Sequence, residues 1–204
     1  MKNRNKIFRM TAAALLTALV FLFGMTPIGL IPLGFINITV LCVPVIVGTL
    51  MLGPKYGLLL GFCFGTASTL SMIGLSLTPP SALASALFSV SPVSAVLMCY
   101  IPRLLVPITC YVTFNLSSRA GAKKAIAVSA AAAVGSLTNT VLYLGLMLAF
   151  YAINGLDAAS VLALIAGTGL IAGSCEALAA VLITVPVVKA LSKTPIANNL
   201  GGKL

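Results

Sequence analysis

Arg103, Asn139 and Glu176 have the most chemistry to offer in this sequence, because each interrupts a long apolar run. A guanidinium in apolar surroundings can receive a carboxylate or another acceptor, and a carboxamide can orient polar groups. Tyr143 lies one helical turn beyond Asn139 on the same face and adds a hydroxyl. Glu176 can accept from a hydroxyl or amide, or pair with Arg103. Two readings stay open. In one, an Arg103–Glu176 pair fixes helix register and Asn139 bonds across the bundle. In the other, Arg103, Asn139, Tyr143 and Glu176 form a ligand pocket that opens outward and is walled by the last three apolar runs.

Bond-making chemistry finds little support. The chain has no His and only two acids, Asp157 and Glu176, which excludes His-based acid/base catalysis and His-rich metal sites. No nucleophile–base pair or metal cluster is visible, so no enzyme is expected. Cys42, Cys63, Cys99, Cys110 and Cys175 all fall in apolar runs without a Cys-x-x-Cys motif, and read as small buried hydrophobes.

The elements that must position these residues follow from composition. Hydrophobic residues make up 60% of the 204 positions and charged residues 7%, where a soluble domain carries about 25% charged. So few charges cannot clothe a water-soluble fold, and the chain reads as an all-α membrane protein. A spanning helix needs about 20 apolar residues. Six runs qualify, at roughly 7–25, 37–52, 56–76, 92–116, 124–152 and 160–188, within a single domain over 1–204. With both termini cytoplasmic, eleven of the twelve basic residues fall on the inner side and Asp157 falls outside, as the positive-inside rule requires. Arg103, the twelfth, lies within a span. The first run could also be a signal peptide, but Gly24-Met25-Thr26-Pro27 is a poor cleavage site. Continuous apolar runs exclude a membrane β-barrel. The +10 charge is flanking charge, with no basic stripe interleaved with stacking aromatics, so nucleic acid is not an expected partner and membrane lipid is.

Small residues at four-residue spacing supply the close approach that holds helices together in lipid. Gly57, Gly61 and Gly65 form one such face, and Gly169 and Gly173, continued by Ala177 and Ala180, another; both read as internal packing. Ala14 and Ala18 form a third, suited equally to an internal neighbour or a partner helix. Pro44 is expected to bend the second span. The connections at 26–36 and 77–91 carry no charge, and read either as lids over a cavity or as loops lying on the lipid surface. In the second, Thr78 could cap a short helix starting at Pro79, with Ser81, Ser85 and Ser89 on one face and Leu83 and Leu87 on another.

These features together resemble the substrate-binding S-components of energy-coupling factor (ECF) vitamin transporters over roughly residues 8–190. The length, the six spans and Ala14-x-x-x-Ala18 carry the likeness. So do Ile31-Pro32-Leu33-Gly34, Gly53-Pro54-Lys55-Tyr56-Gly57, Pro102-Arg103 and Leu137-Thr138-Asn139-Thr140. The resemblance implies a multi-pass plasma-membrane protein that captures a vitamin from outside, closes apolar loops over it and topples against a transmembrane coupling subunit. Ala14 and Ala18 would dock on that subunit. Two ATPase subunits would power release, and this chain, lacking a Gly-x-x-x-x-Gly-Lys-Ser/Thr loop, would bind no cofactor itself. An Arg over a small polar pocket suits a compact carboxylate such as pantothenate, with riboflavin next. A self-sufficient secondary transporter and a ligand-free structural membrane protein are the rival expectations.

Overall fold

The computed structural model describes residues 2–32 and 37–193. Helix α1 (Lys2–Met25) leads through a 3-10 turn (Pro27–Gly29) into a short antiparallel hairpin, β1 (Leu30–Pro32) and β2 (Asn37–Thr39). Then follow α2 (Cys42–Leu52), α3 (Pro54–Met72), α4 (Ala82–Val90), α5 (Pro92–Arg119) and α6 (Lys124–Ile153). Helix α7 (Ala158–Leu164) runs through a π-helical turn (Ile165–Gly169) into α8 (Leu170–Ser192).

Among the described residues, four helices are long and apolar enough to cross a membrane: Asn5–Met25, Pro92–Arg119, Lys124–Ile153 and Ile171–Ser192. Helix α3 has 19 residues but is diluted by glycines and hydroxyls, and falls short in mean hydropathy. The expected span at 37–52 is shorter than its sequence suggested. Residues 37–39 pair with β1 as a strand, and the helix begins only at Cys42. Its eleven residues, Cys42 to Leu52, are all buried. Pro44 therefore sits in the first turn of α2, where an amide has no intrahelical acceptor, and no bend follows.

Helix α2 is the axis of one core, formed with buried residues of α1, α3, α5, α6 and α8, among them Val20, Ile46, Leu60, Val106 and Ala131. The glycines of α3 set its distance from α5. A Cβ on Gly61 would lie 2.5 Å from the Arg103 carbonyl oxygen, and one on Gly65 2.7 Å from the Tyr100 ring; Gly57 meets Thr49 and Pro107. On the other side, Gly169 and Gly173 approach Leu144 and Thr140 of α6. Both glycine faces are thus internal. Ala14 and Ala18 are exposed, on the opposite side of α1 from buried Ala13 and Val20.

A second core of Met72, Leu87, Met98, Met147 and Val161 lies at the far end from the basic N-terminus and carries α4. Helix α4 starts at Ala82, with Ser81 in the capping position and Thr78 and Pro79 upstream of it. The expected start at Pro79 fails because Pro80 disfavours a helical conformation for the residue before it. Leu87 is fully buried as the anchor of α4, Leu83 and Ser85 are half-buried, and Ser81 and Ser89 are exposed.

Candidate functional site

Helix α5 carries two internal prolines, Pro102 and Pro107, and they shape the site. An α-helical carbonyl normally accepts from the amide four residues on; Pro102 has no amide to give Met98, nor Pro107 to give Arg103. Arg103 Nη1 donates to the Met98 oxygen at 3.1 Å, so the side chain after the proline fills the vacancy the proline made. The guanidinium is also sandwiched between two rings, with its carbon 4.5 Å from the Tyr143 centroid and 5.3 Å from that of Phe64. Such stacking holds a cation in apolar surroundings without neutralising it.

Arg103 is 7% exposed and Asn139 8% exposed, and both line a cavity of about 250 Å³. Two of their atoms, Arg103 Nε and Asn139 Oδ1, are buried without a hydrogen-bond partner. A buried polar atom left unpaired costs about 1–3 kcal/mol, so the two residues that line the cavity each carry a polar atom for which the folded chain supplies no partner. Tyr143 lines the same wall.

Glu176 is not part of this group. It does not pair with Arg103; its Oε2 accepts from Thr140 Oγ1 at 2.8 Å, in the seam between α6 and α8, and it is not among the residues lining the cavity. Asn139 and Thr140 are one residue apart, and therefore about 100° apart around α6. One faces the cavity and the other faces α8. Among the described residues the pocket is consequently lined by α5 and α6 but not by α8.

Helix α3 takes that place. Phe64, Ser68, Ser71 and Met72 line the cavity, joined by Phe23, Gly24 and Thr26 at the end of α1 and by Thr78, Pro79, Ser81 and Ala84 from the 77–91 segment. The spacing of Phe64, Ser68 and Ser71 is that of one helical stripe, a signal present in the sequence that the glycine face alongside it obscured. Ser76 donates to Ser71 Oγ at 3.0 Å and to the Thr78 carbonyl at 2.9 Å, which binds the segment to the end of α3. Two further bonds hold it down. Tyr151 Oη donates to the Leu83 carbonyl at 2.6 Å, and the Leu77 amide donates to the Met25 carbonyl at 2.9 Å. The 77–91 segment thus covers the cavity as a lid. The tip of the other connection, with Leu33 and Gly34, lies outside the described residues.

No curated protein sequence matches the chain. Its fold is similar to the crystal structure of the S-component for biotin from an ECF-type ABC transporter, at a TM-score of 0.62 and 20% identity over 95% of both chains. At that identity the likeness is one of fold. The family model for the ECF transporter, substrate-specific component, matches residues 8–197, nearly the whole chain. On that match, the protein belongs to the family of ECF transporter substrate-specific components.

Proposed function

We propose that this chain is the high-affinity capture subunit of an ATP-driven vitamin importer in the plasma membrane, and that Arg103 receives a carboxylate of its substrate. The observation that supports the reading is that Arg103 and Asn139, both more than nine-tenths buried, line the same cavity together with Tyr143. A carboxylate supplies acceptors for the guanidinium, and a neighbouring hydroxyl or amide supplies a donor for Asn139. Tyr143 packs on the cation and orients it, and Glu176 accepts a hydrogen bond from Thr140, the neighbour of Asn139.

The cavity volume, about 250 Å³, lies at the lower edge of the ~300–1,000 Å³ usual for small-molecule sites, which favours a compact ligand. Pantothenate is therefore the first choice. Biotin, the ligand of the similar solved S-component, is also a carboxylate; riboflavin, larger and uncharged, ranks below both. Six crossings with both termini inside place the cavity toward the exterior, because the basic helix ends then face the cytoplasm. The exposed Ala14 and Ala18 stripe offers the coupling subunit a flat docking face, and the ATPases of that module bind the nucleotide.

The test is identification of the small molecule released when the purified protein is denatured, followed by titration of pantothenate, biotin and riboflavin. Arg103→Ala weakens binding of the carboxylate vitamin by more than about tenfold, ~1.4 kcal/mol. Unchanged affinity in the folded variant would return Arg103 to a structural role. Uptake by the chain alone in liposomes would replace the capture subunit with a solitary transporter.

A further inference from the structure

Two lysines rim an apolar crevice at the basic end of the bundle, well away from the covered cavity. Lys124 opens α6 and Lys189 lies in the last turn of α8. Between them is a crevice of about 210 Å³ whose walls include Ala125, Val128, Val185 and Val188. Lys189 stands where a helix dipole favours a cation, but Lys124 does not. With Lys123 in the capping position, Lys124 adds positive charge at the positive end of a 30-residue helix that has no acid in its first turn.

Among the described residues, no acidic side chain lies near either lysine. Of the chain's two acids, Asp157 caps α7 beyond the opposite end of α6. Glu176 precedes Lys189 by thirteen residues, about 20 Å along α8 at 1.5 Å per residue. Inorganic phosphate would match the lysines but leave the valine walls unfilled, and an uncharged amphiphile would do the reverse. A lipid with a net negative head and an acyl chain meets both requirements.

We propose that this crevice binds one anionic phospholipid, its phosphate between Lys124 and Lys189 and the start of an acyl chain along Val128, Val185 and Val188. The leaflet on the basic side of a membrane protein is the one that carries anionic lipids, so charge and location agree. The site is independent of what the covered cavity holds.

The test places the full chain in nanodiscs of phosphatidylglycerol and phosphatidylcholine in equal parts, then extracts it into mild detergent for native mass spectrometry. One phosphatidylglycerol remains per chain and phosphatidylcholine does not. The double variant K124Q/K189Q lowers that retention about thirtyfold, as expected for two lysines at about 1 kcal/mol each at a membrane surface. K6Q/K55Q removes equal charge from the same face, at exposed positions, and leaves retention unchanged. Ala125→Trp, also at an exposed position, keeps both lysines but fills the crevice and displaces the lipid. Equal retention of the two lipids would overturn the proposal, as would equal loss in K6Q/K55Q, which indicates a diffuse basic belt. Full retention in either K124Q/K189Q or Ala125→Trp would overturn it as well.

Discussion

Arg103 depends on the residue before it, and that dependence is testable without touching the cavity wall. Pro102→Ala returns an amide to the Met98 carbonyl, which then competes with Arg103 Nη1 for the same oxygen. A loosened guanidinium binds a carboxylate up to about tenfold more weakly, the loss expected for a charge-assisted hydrogen bond. In an Arg103→Ala background the same change has no further effect on affinity, a double-mutant cycle that a purely structural proline would not produce. Arg103→Lys is not conservative here, because an ammonium lacks the planar, forked donors that let Arg103 hold the Met98 carbonyl while packing on Tyr143 and Phe64. The three cavity residues Arg103, Asn139 and Tyr143 were legible in the sequence because polar groups in apolar runs are costly, and so conspicuous. The Arg103–Glu176 pairing, one of the two readings the sequence left open, fails for a geometric reason. Depth along a helix follows from residue count, but the direction around it depends on where each neighbour packs. Asn139 and Thr140 have nearly equal depth and opposite surroundings.

Close helix approach makes a second set of outcomes specific. Gly61→Ala drives a methyl against the Arg103 carbonyl, 2.5 Å from the new carbon. Overpacking of this kind destabilises by about 1–3 kcal/mol, and the displaced α5 carries Arg103 with it. Thermal unfolding in detergent and vitamin affinity therefore fall together. Gly145→Ala has open space on α6, and is neutral or stabilising by up to about 1 kcal/mol. Similar losses at both positions would remove the packing argument. On the lid, Tyr151→Phe deletes the bond to Leu83. Loss of about 1 kcal/mol speeds ligand dissociation roughly fivefold, read by release of labelled vitamin. At the start of α7, Asp157 accepts from the Ser160 hydroxyl and the Ala159 amide, and these bonds hold its carboxyl below the usual 3.8. The cap is complete above that value and is lost as pH falls through the lowered one, so faster amide exchange at the start of α7 appears only in acid. The helix cores α1, α3, α5, α6 and α8 were legible from apolar runs bounded by Pro, Gly and charge. The start of α4 was not, because Pro79 has the right identity for a first turn and the wrong successor.

Taken as a whole, the chain separates charge along its axis and turns one helix outward. Only 11% of the α1 spanning window is buried, against 44% for α5, so α1 sits at the margin with Ala14 and Ala18 facing away from the bundle. Replacing both with Trp roughens that face without entering a core. Uptake is abolished while vitamin binding in detergent persists; parallel loss of both would end the docking assignment. Sequence counting gave six runs, while the described helices include four that meet the length and hydropathy of a span. The difference lies in α2, which is short and wholly buried, and in α3, whose glycines and hydroxyls lower its mean hydropathy. The brevity of α2 also bears on biogenesis. Eleven residues at 1.5 Å reach about 16 Å, roughly half of a ~30 Å hydrocarbon layer, so lipid alone cannot retain this helix as it leaves the translocon. Arg9, which donates to the last α2 carbonyl and stacks on Tyr56 of α3, ties the ends of three helices together. A chain truncated after α2 is therefore expected to lose that helix from the membrane on alkaline extraction, whereas one truncated after α3 is expected to keep it.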